Sequence, residues 1–310
     1  MTKTTTLKNA PEFKHFKVVP CTPVIGGTIE GLHLSKVTDE VAEELRQALW
    51  HYGVLFARDQ HLTSAQMKKI AYCFGEELER HTFGKAGGAG EENDPEVLLI
   101  EMQYGKKAKI TTDLWHHDVD GRPRPNNMSI LQAEVVPFGA DTMWSSAAAA
   151  YENLPYPLKM MFLNLDIDHD TAFGVLRHGF LNGSEIAKKM LEVGESHTCP
   201  AVIEHYATGR KCLFLGSGGV KRVSTFPSDL SDHILKLGQE FPKIPEYQVR
   251  HQWRSGDVAM WDNFLTWHYG VTSGVEGDVR RLHRVSSVNK KVKLTLDRER
   301  AMRELLASRP

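Results

Sequence analysis

The chain has 310 residues, with 38 basic and 39 acidic side chains, 15 histidines and a formal net charge of −1. That length supplies a core large enough to fold without staples, and the balanced charge excludes a general attraction to nucleic acid or to a membrane surface. Cys21, Cys73, Cys199 and Cys212 form no CxxC pair, the first residues lack the apolar core of a secretion signal, and no apolar run approaches the roughly 20 residues of a membrane helix, so a cytoplasmic chain with free thiols is expected.

Val18 to Leu34 is β-branched and interrupted by Gly26 and Gly27, which predicts short strands around a turn. Thr38 caps a predicted helix to about Tyr52, with Leu45, Ala48, Leu49 and Tyr52 on one stripe and Gly53 as the stop. A short strand at Val54 to Phe56 follows. Thr63 and Gln66 then make a capping box for a helix whose stripe is Met67, Ile70, Ala71 and Phe74, closed by Gly75. The run Gly84 to Gly90 has no apolar periodicity, and a mobile lid is expected over 82–95.

From Val97 strands dominate: Val97 to Met102, Leu114 to Val119 and Met128 to Val135. A helical or mixed stretch covers Ser146 to Leu165, and a helix is predicted over 183–195. A hairpin turns at Ala207 to Arg210, and a helix runs from a Ser228 cap to about Glu240. Strands follow at Val249 to Trp253, Val258 to Trp261, His268 to Val271 and Arg280 to Asn289. An amphipathic helix with Leu296, Met302, Leu305 and Leu306 ends the chain. The strands come in antiparallel-looking hairpins rather than alternating with helices. A mainly β fold with helices (α+β), a jelly-roll or barrel-like double sheet, is therefore expected, as one domain over 1–310.

Trp115-His116-His117-Asp118 is the most informative segment. On a strand, His116 and Asp118 share a face and His117 points away. With His268 as a third ligand, two imidazoles and a carboxylate would occupy one face of an octahedral metal, the arrangement of non-heme Fe(II) oxygenases. HxD alone is a weak signal, and a hydrogen-bonded pair in a sheet explains it as well. Arg280 and Arg284 share a strand face, and two inward guanidinium groups beside a metal make sense as forks for carboxylate or sulfonate groups. Arg281 and His283 would face the other way, Arg281 towards solvent. Thr142, in Gly139-Ala-Asp-Thr-Met-Trp144, offers a hydroxyl that could share a carboxylate with Arg280.

At these residues the chain resembles the TauD/TfdA family of Fe(II)- and 2-oxoglutarate-dependent dioxygenases. The likeness runs from Phe74-Gly75 through DLWHHDV, GADTMWSSAAAAYENLP and GDVAMWDNFLTWHYGV to RRLHRVS, in the family's order and spacing. It implies a double-stranded β-helix core and iron on His116, Asp118 and His268. It also implies 2-oxoglutarate held at its distal carboxylate by Arg280 and Thr142, with O₂ as co-substrate. Arg284 and His81 match residues that hold an anionic group of the primary substrate. The sequence departs from the taurine-type pattern at Thr112, where an Asn often reaches the substrate, and at Gly216-Ser-Gly-Gly219, where a pocket Phe is missing. A substrate bulkier than taurine is therefore expected, with Val119, Phe173, Gly219 and Val220 lining its pocket.

The resemblance implies hydroxylation of a small organic anion, with release of succinate and CO₂ and cleavage where the carbon bears a heteroatom. A zinc hydrolase on the same three ligands and an inactive jelly-roll binding protein are the alternatives. Acidic residues interleave the basic cluster Lys290, Lys291, Lys293, Arg298, Arg300 and Arg303, which reads as a solvated helix rather than a nucleic-acid surface. A homo-oligomer, dimer or tetramer, is expected.

Overall fold

The computed structural model describes residues 7, 10–80, 94–104, 113–173, 192, 194–216, 218–271 and 276–308. Its first half runs through β1 (Lys17–Pro20), β2 (Gly27–Glu30), α1 (Asp39–Tyr52), β3 (Val54–Ala57), α2 (Ser64–Tyr72), β4 (Glu77–Leu78), β5 (Leu98–Gln103), β6 (Met128–Val135), β7 (Thr142–Ser146), α3 (Ala147–Glu152) and α4 (Tyr156–Leu163). It continues through β8 (Asp166–Asp170), β9 (Ser196–Pro200), β10 (Val202–Glu204), β11 (Lys211–Leu213), β12 (Val220–Val223), α5 (Ser228–Gly238), β13 (Gln248–His251), β14 (Val258–Asp262), β15 (Thr266–Gly270), β16 (Val279–Val288) and α6 (Arg298–Ala307).

The large sheet has the order β1-β2-β3-β14-β6-β16-β4, with β5 also on β16. A three-stranded layer, β13-β7-β15, faces it, and β12-β8-β9 and β10-β11 form smaller sheets beside it. This is a double-stranded β-helix decorated by helices. Period-two alternation explains the layering. On β3, Leu55 and Ala57 pack under α1 and α2, while Val54 and Phe56 enter the sandwich; on β14, Val258 and Met260 go one way and Ala259 and Trp261 the other. Trp144, Trp253 and Trp261 fill the space between the two layers. A third cluster joins α3, α4 and α6 to β8–β12.

The early elements follow the sequence closely. Leu45, Ala48, Leu49 and Tyr52 are all buried on α1, and Gly53 takes φ +73° as its cap. The Thr63–Gln66 capping box forms, but α2 caps at Cys73 rather than closing at Gly75. Gly75 has a different reason to be glycine, because a Cβ there would lie 2.6 Å from the Val288 carbonyl oxygen.

Two expectations need correction, and three strands were not anticipated. Leu114 to Val119 is not a strand: it makes a single bridge, His116 to His268, and then turns. The helix at Ser228 is capped by Pro227, without a side-chain hydrogen bond. Strands β8, β9 and β12 had no prediction. In β8 the inward positions are Ile167 and His169, set among three aspartates, so the apolar half of the alternation is too thin to read. The helix expected over 183–195 and the lid over 82–95 lie mostly outside the described residues. No helix among the described residues is long and apolar enough to cross a membrane.

Candidate metal centre

The site lies inside the sandwich, between β6 and β16 of the large sheet and β7 and β15 of the small one. His116 and His268 exchange both backbone hydrogen bonds, at 3.1 and 2.9 Å. That bridge sets their imidazoles 4.0 Å apart, centroid to centroid. Beyond His117 the chain turns sharply, with Val119 at φ +46°. A β-branched residue there costs about 1–3 kcal/mol and persists only when its surroundings hold it. Asn263 is part of that hold: its Oδ1 accepts from the Asp118 N–H at 2.8 Å, and its Nδ2 donates to the Asp118 carbonyl at 2.9 Å. The Asn263 side chain thus takes the place of the neighbouring strand that Asp118 lacks.

One ligand atom each from His116, Asp118 and His268 lies within 4.8 Å of the others. The His116 Nδ1 pairs with the Leu114 carbonyl at 2.8 Å, which leaves its Nε2 lone pair for a cation. The His268 Nε2 sits 3.6 Å from the Asp118 Oδ1. The other Asp118 oxygen accepts from the Ser129 hydroxyl at 3.0 Å. Burial holds the pKa of His268 well below its ordinary range, and the neighbouring His116 adds to this. Burial would raise the Asp118 pKa, but the Arg284 guanidinium, with His268 and His116, drives it well below the carboxylate range. A neutral imidazole and an ionised carboxylate are the forms that bind a metal. His117 points away, as expected, and stacks on Phe214 at 4.4 Å; burial pushes its pKa down to about 4.

Strand β16 delivers the two arginines on one buried face, while Arg281 and His283 face outward to Glu101 and Glu134. The two sit in different surroundings. The Arg280 Nη2 donates to the Thr142 Oγ1 at 2.8 Å, and the Trp253 indole N–H donates to the same oxygen at 3.0 Å. A hydroxyl that accepts two hydrogen bonds keeps its own proton to give away. The Arg280 Nε is buried without a partner, and no carboxylate among the described residues lies within ion-pair distance of this guanidinium. Burial accordingly lowers its pKa. The Tyr104 hydroxyl, which interacts electrostatically with Arg280, is also buried without a partner.

Arg284, by contrast, donates through Nη1 to the Asp118 Oδ1 and lies 4.0 Å from the Glu79 Oε2. Burial opposes its charge, but Asp118 and Glu79 more than compensate and raise its pKa.

Of the expected pocket residues, Val119 adjoins Asp118. Val220 belongs to the core cluster beside β8, and Phe173 sits under the Lys221 ammonium, 5.9 Å from its ring centre. At Gly216 and Gly219 the surrounding backbone leaves no room for a side chain. A Cβ on Gly216 would lie 2.8 Å from the His117 nitrogen, and one on Gly219 would lie 2.7 Å from the Gly121 nitrogen. These glycines let their loop press against the ligand-bearing turn, and the Gly219 N–H donates to the Asp120 Oδ1 at 2.6 Å. His81 and Thr112 lie outside the described residues. Sequence reasoning missed Asn263, Ser129, Tyr104 and Glu79.

Comparison with known proteins agrees with this geometry. A family model described as "Taurine catabolism dioxygenase TauD, TfdA family" matches residues 17–286. An alkylsulfatase of Acinetobacter baylyi is 33% identical over 84% of this chain and 80% of its own length. An alpha-ketoglutarate-dependent sulfate ester dioxygenase of Pseudomonas putida is 30% identical over 86% of this chain and 87% of its own. The solved structure of AAD-2 in complex with Mn(II) and N-oxalylglycine superposes with a TM-score of 0.73 at 25% identity, covering 90% of this chain and 99% of that one.

Proposed function

The chain belongs to the TauD, TfdA family and is a 2-oxoglutarate-dependent dioxygenase; on that premise we propose that His116, Asp118 and His268 hold Fe(II), that Arg280 and Thr142 hold 2-oxoglutarate, and that Arg284 receives the anionic head of an organic sulfate ester. The observation that carries this reading is Arg280, a buried cation with no carboxylate of its own among the described residues. Such a group is costly unless a ligand completes it. The distal carboxylate of 2-oxoglutarate fits a guanidinium flanked by a hydroxyl with a free proton. Bound there, iron and 2-oxoglutarate supply an oxidant made from O₂, with succinate and CO₂ as products.

The chain's own residues supply positioning. The His116–His268 bridge and the Asn263 clamp fix the three ligands, and the buried sandwich excludes water around them. A zinc hydrolase would leave the Arg280–Thr142 pair without a role, and the family assignment does not favour it. The sulfate-ester head is supported by the two relatives named for that chemistry.

The test is a succinate-release assay with Fe(II), 2-oxoglutarate and O₂ across alkyl sulfates, aryloxy acids and taurine. An alkyl sulfate is expected to stimulate release more than taurine does. Hydrolysis of the ester without 2-oxoglutarate would contradict the proposal. We further propose a cytoplasmic homo-oligomer; light scattering showing a monomer would remove the oligomer.

A further inference from the structure

Glu79 is a buried carboxylate with no part in the chemistry described so far. It follows β4, and its N–H donates to the Ser286 carbonyl at 2.8 Å, two residues from Arg284 on β16. That placement brings its Oε2 to 4.0 Å from the Arg284 Nη2. Its Oε1 accepts from the Arg122 Nη1 at 3.3 Å, and Arg122 also lies 3.8 Å from Glu195. Arg122 is therefore committed to carboxylates of the protein and adds no spare cation. Glu79 and Arg122 also line a cavity of about 730 Å³ with Leu78, Arg80, Thr171 and Glu195, which none of the three metal-ligand candidates lines.

We propose that Glu79 is a specificity-determining residue that restricts the site to singly charged heads, such as a sulfate monoester, and rejects doubly charged ones of the same shape, such as a phosphate monoester. This rests on the reading that Arg284 receives the substrate anion. When Asp118 serves a metal, Arg284 still faces one carboxylate at close range. A monoanion completes the guanidinium. A dianion brings a further negative charge beside Glu79, at a guanidinium that already faces that carboxylate. Unlike charges attract and like charges repel most strongly where water is excluded. Discrimination between isosteric ligands then comes from a built-in repulsive group.

The experiment uses protein loaded with Mn(II) and N-oxalylglycine and measures calorimetric Kd values for hexyl sulfate and hexyl phosphate. At about pH 8 the phosphate is a dianion, because its second pKa is roughly 6. The wild type is expected to favour the sulfate by about tenfold or more, and Glu79→Gln to reduce that ratio by about tenfold, chiefly by tightening phosphate binding. A melting curve checks that the variant is folded. A second measurement needs no variant: lowering the pH from about 8 to about 5.5 converts the phosphate to a monoanion and leaves the sulfate unchanged, so the sulfate-to-phosphate ratio of the wild type is expected to fall by about tenfold. A ratio unmoved by Glu79→Gln overturns the role of Glu79 alone, whatever the ratio does with pH. Failure of the wild type to bind either anion overturns the Arg284 reading, and this inference with it.

Discussion

Arg280 and Arg284 stand on the same face of one strand, four residues apart, yet the protein treats them in opposite ways. Arg284 is balanced by Asp118 and Glu79. Arg280 has a hydroxyl and no carboxylate among the described residues. Strand geometry alone cannot produce that difference, because both side chains leave β16 in the same direction. It comes from what the neighbouring elements bring: Asp118 on a strained turn and Glu79 after β4 at one corner, Thr142 and Trp253 at the other. A charge balanced within the protein supports the fold, and a charge left for a ligand supports function at the expense of the ligand-free state.

Replacing each arginine by methionine should therefore give opposite signs. Arg284→Met leaves the buried Asp118 carboxylate without its guanidinium and is expected to destabilise the ligand-free protein by about 3–5 kcal/mol, read from urea midpoints. His117 gives a comparison with a buried group kept neutral. Its folded pKa of about 4 lies below the ordinary 6.5, so the unfolded chain takes up the proton first. The stability it contributes is full above pH 6.5 and is lost as pH falls towards 4. The wild type is expected to lose about 3 kcal/mol more than His117→Gln across that window, measured on metal-free protein.

Arg280→Met removes a buried charge that has no carboxylate at ion-pair distance among the described residues and is expected to stabilise the ligand-free protein by about 1–3 kcal/mol; a loss of stability would erase the contrast between the two corners. The smallest effect belongs to Thr142→Val, which deletes one donor to the distal carboxylate. It should weaken 2-oxoglutarate binding about fivefold, close to 1 kcal/mol, and also lower the melting temperature, because the Arg280 and Trp253 donors lose their acceptor.

The same contrast marks what could be read in the sequence. That Arg280 and Arg284 share an inward face, with Arg281 and His283 outside, follows from period two and is legible in the residues themselves. So are the HxD pair and the distant His268, because the chemistry demands those residue types. Which arginine carries a counter-charge is not legible. Glu79 reads locally as one more acid in Glu76-Glu77-Leu78-Glu79, and only its pairing beside Ser286 turns it inward. Asn263 reads as a turn residue after Asp262, and its clamp on Asp118 spans 145 positions. The glycines at 216 and 219 were legible as a departure from the family pattern, but their cause is contact with the backbone of His117 and Gly121.

The most direct test of the account is a calorimetric titration of N-oxalylglycine into Mn(II)-loaded wild type and Arg280→Met. Truncating one partner of a buried, hydrogen-bonded charge pair costs at least about 2–5 kcal/mol, so the variant is expected to bind about a hundredfold more weakly or worse, while still binding Mn(II). Equal affinity in the two proteins would contradict the claim that Arg280 is kept without a carboxylate in order to receive one.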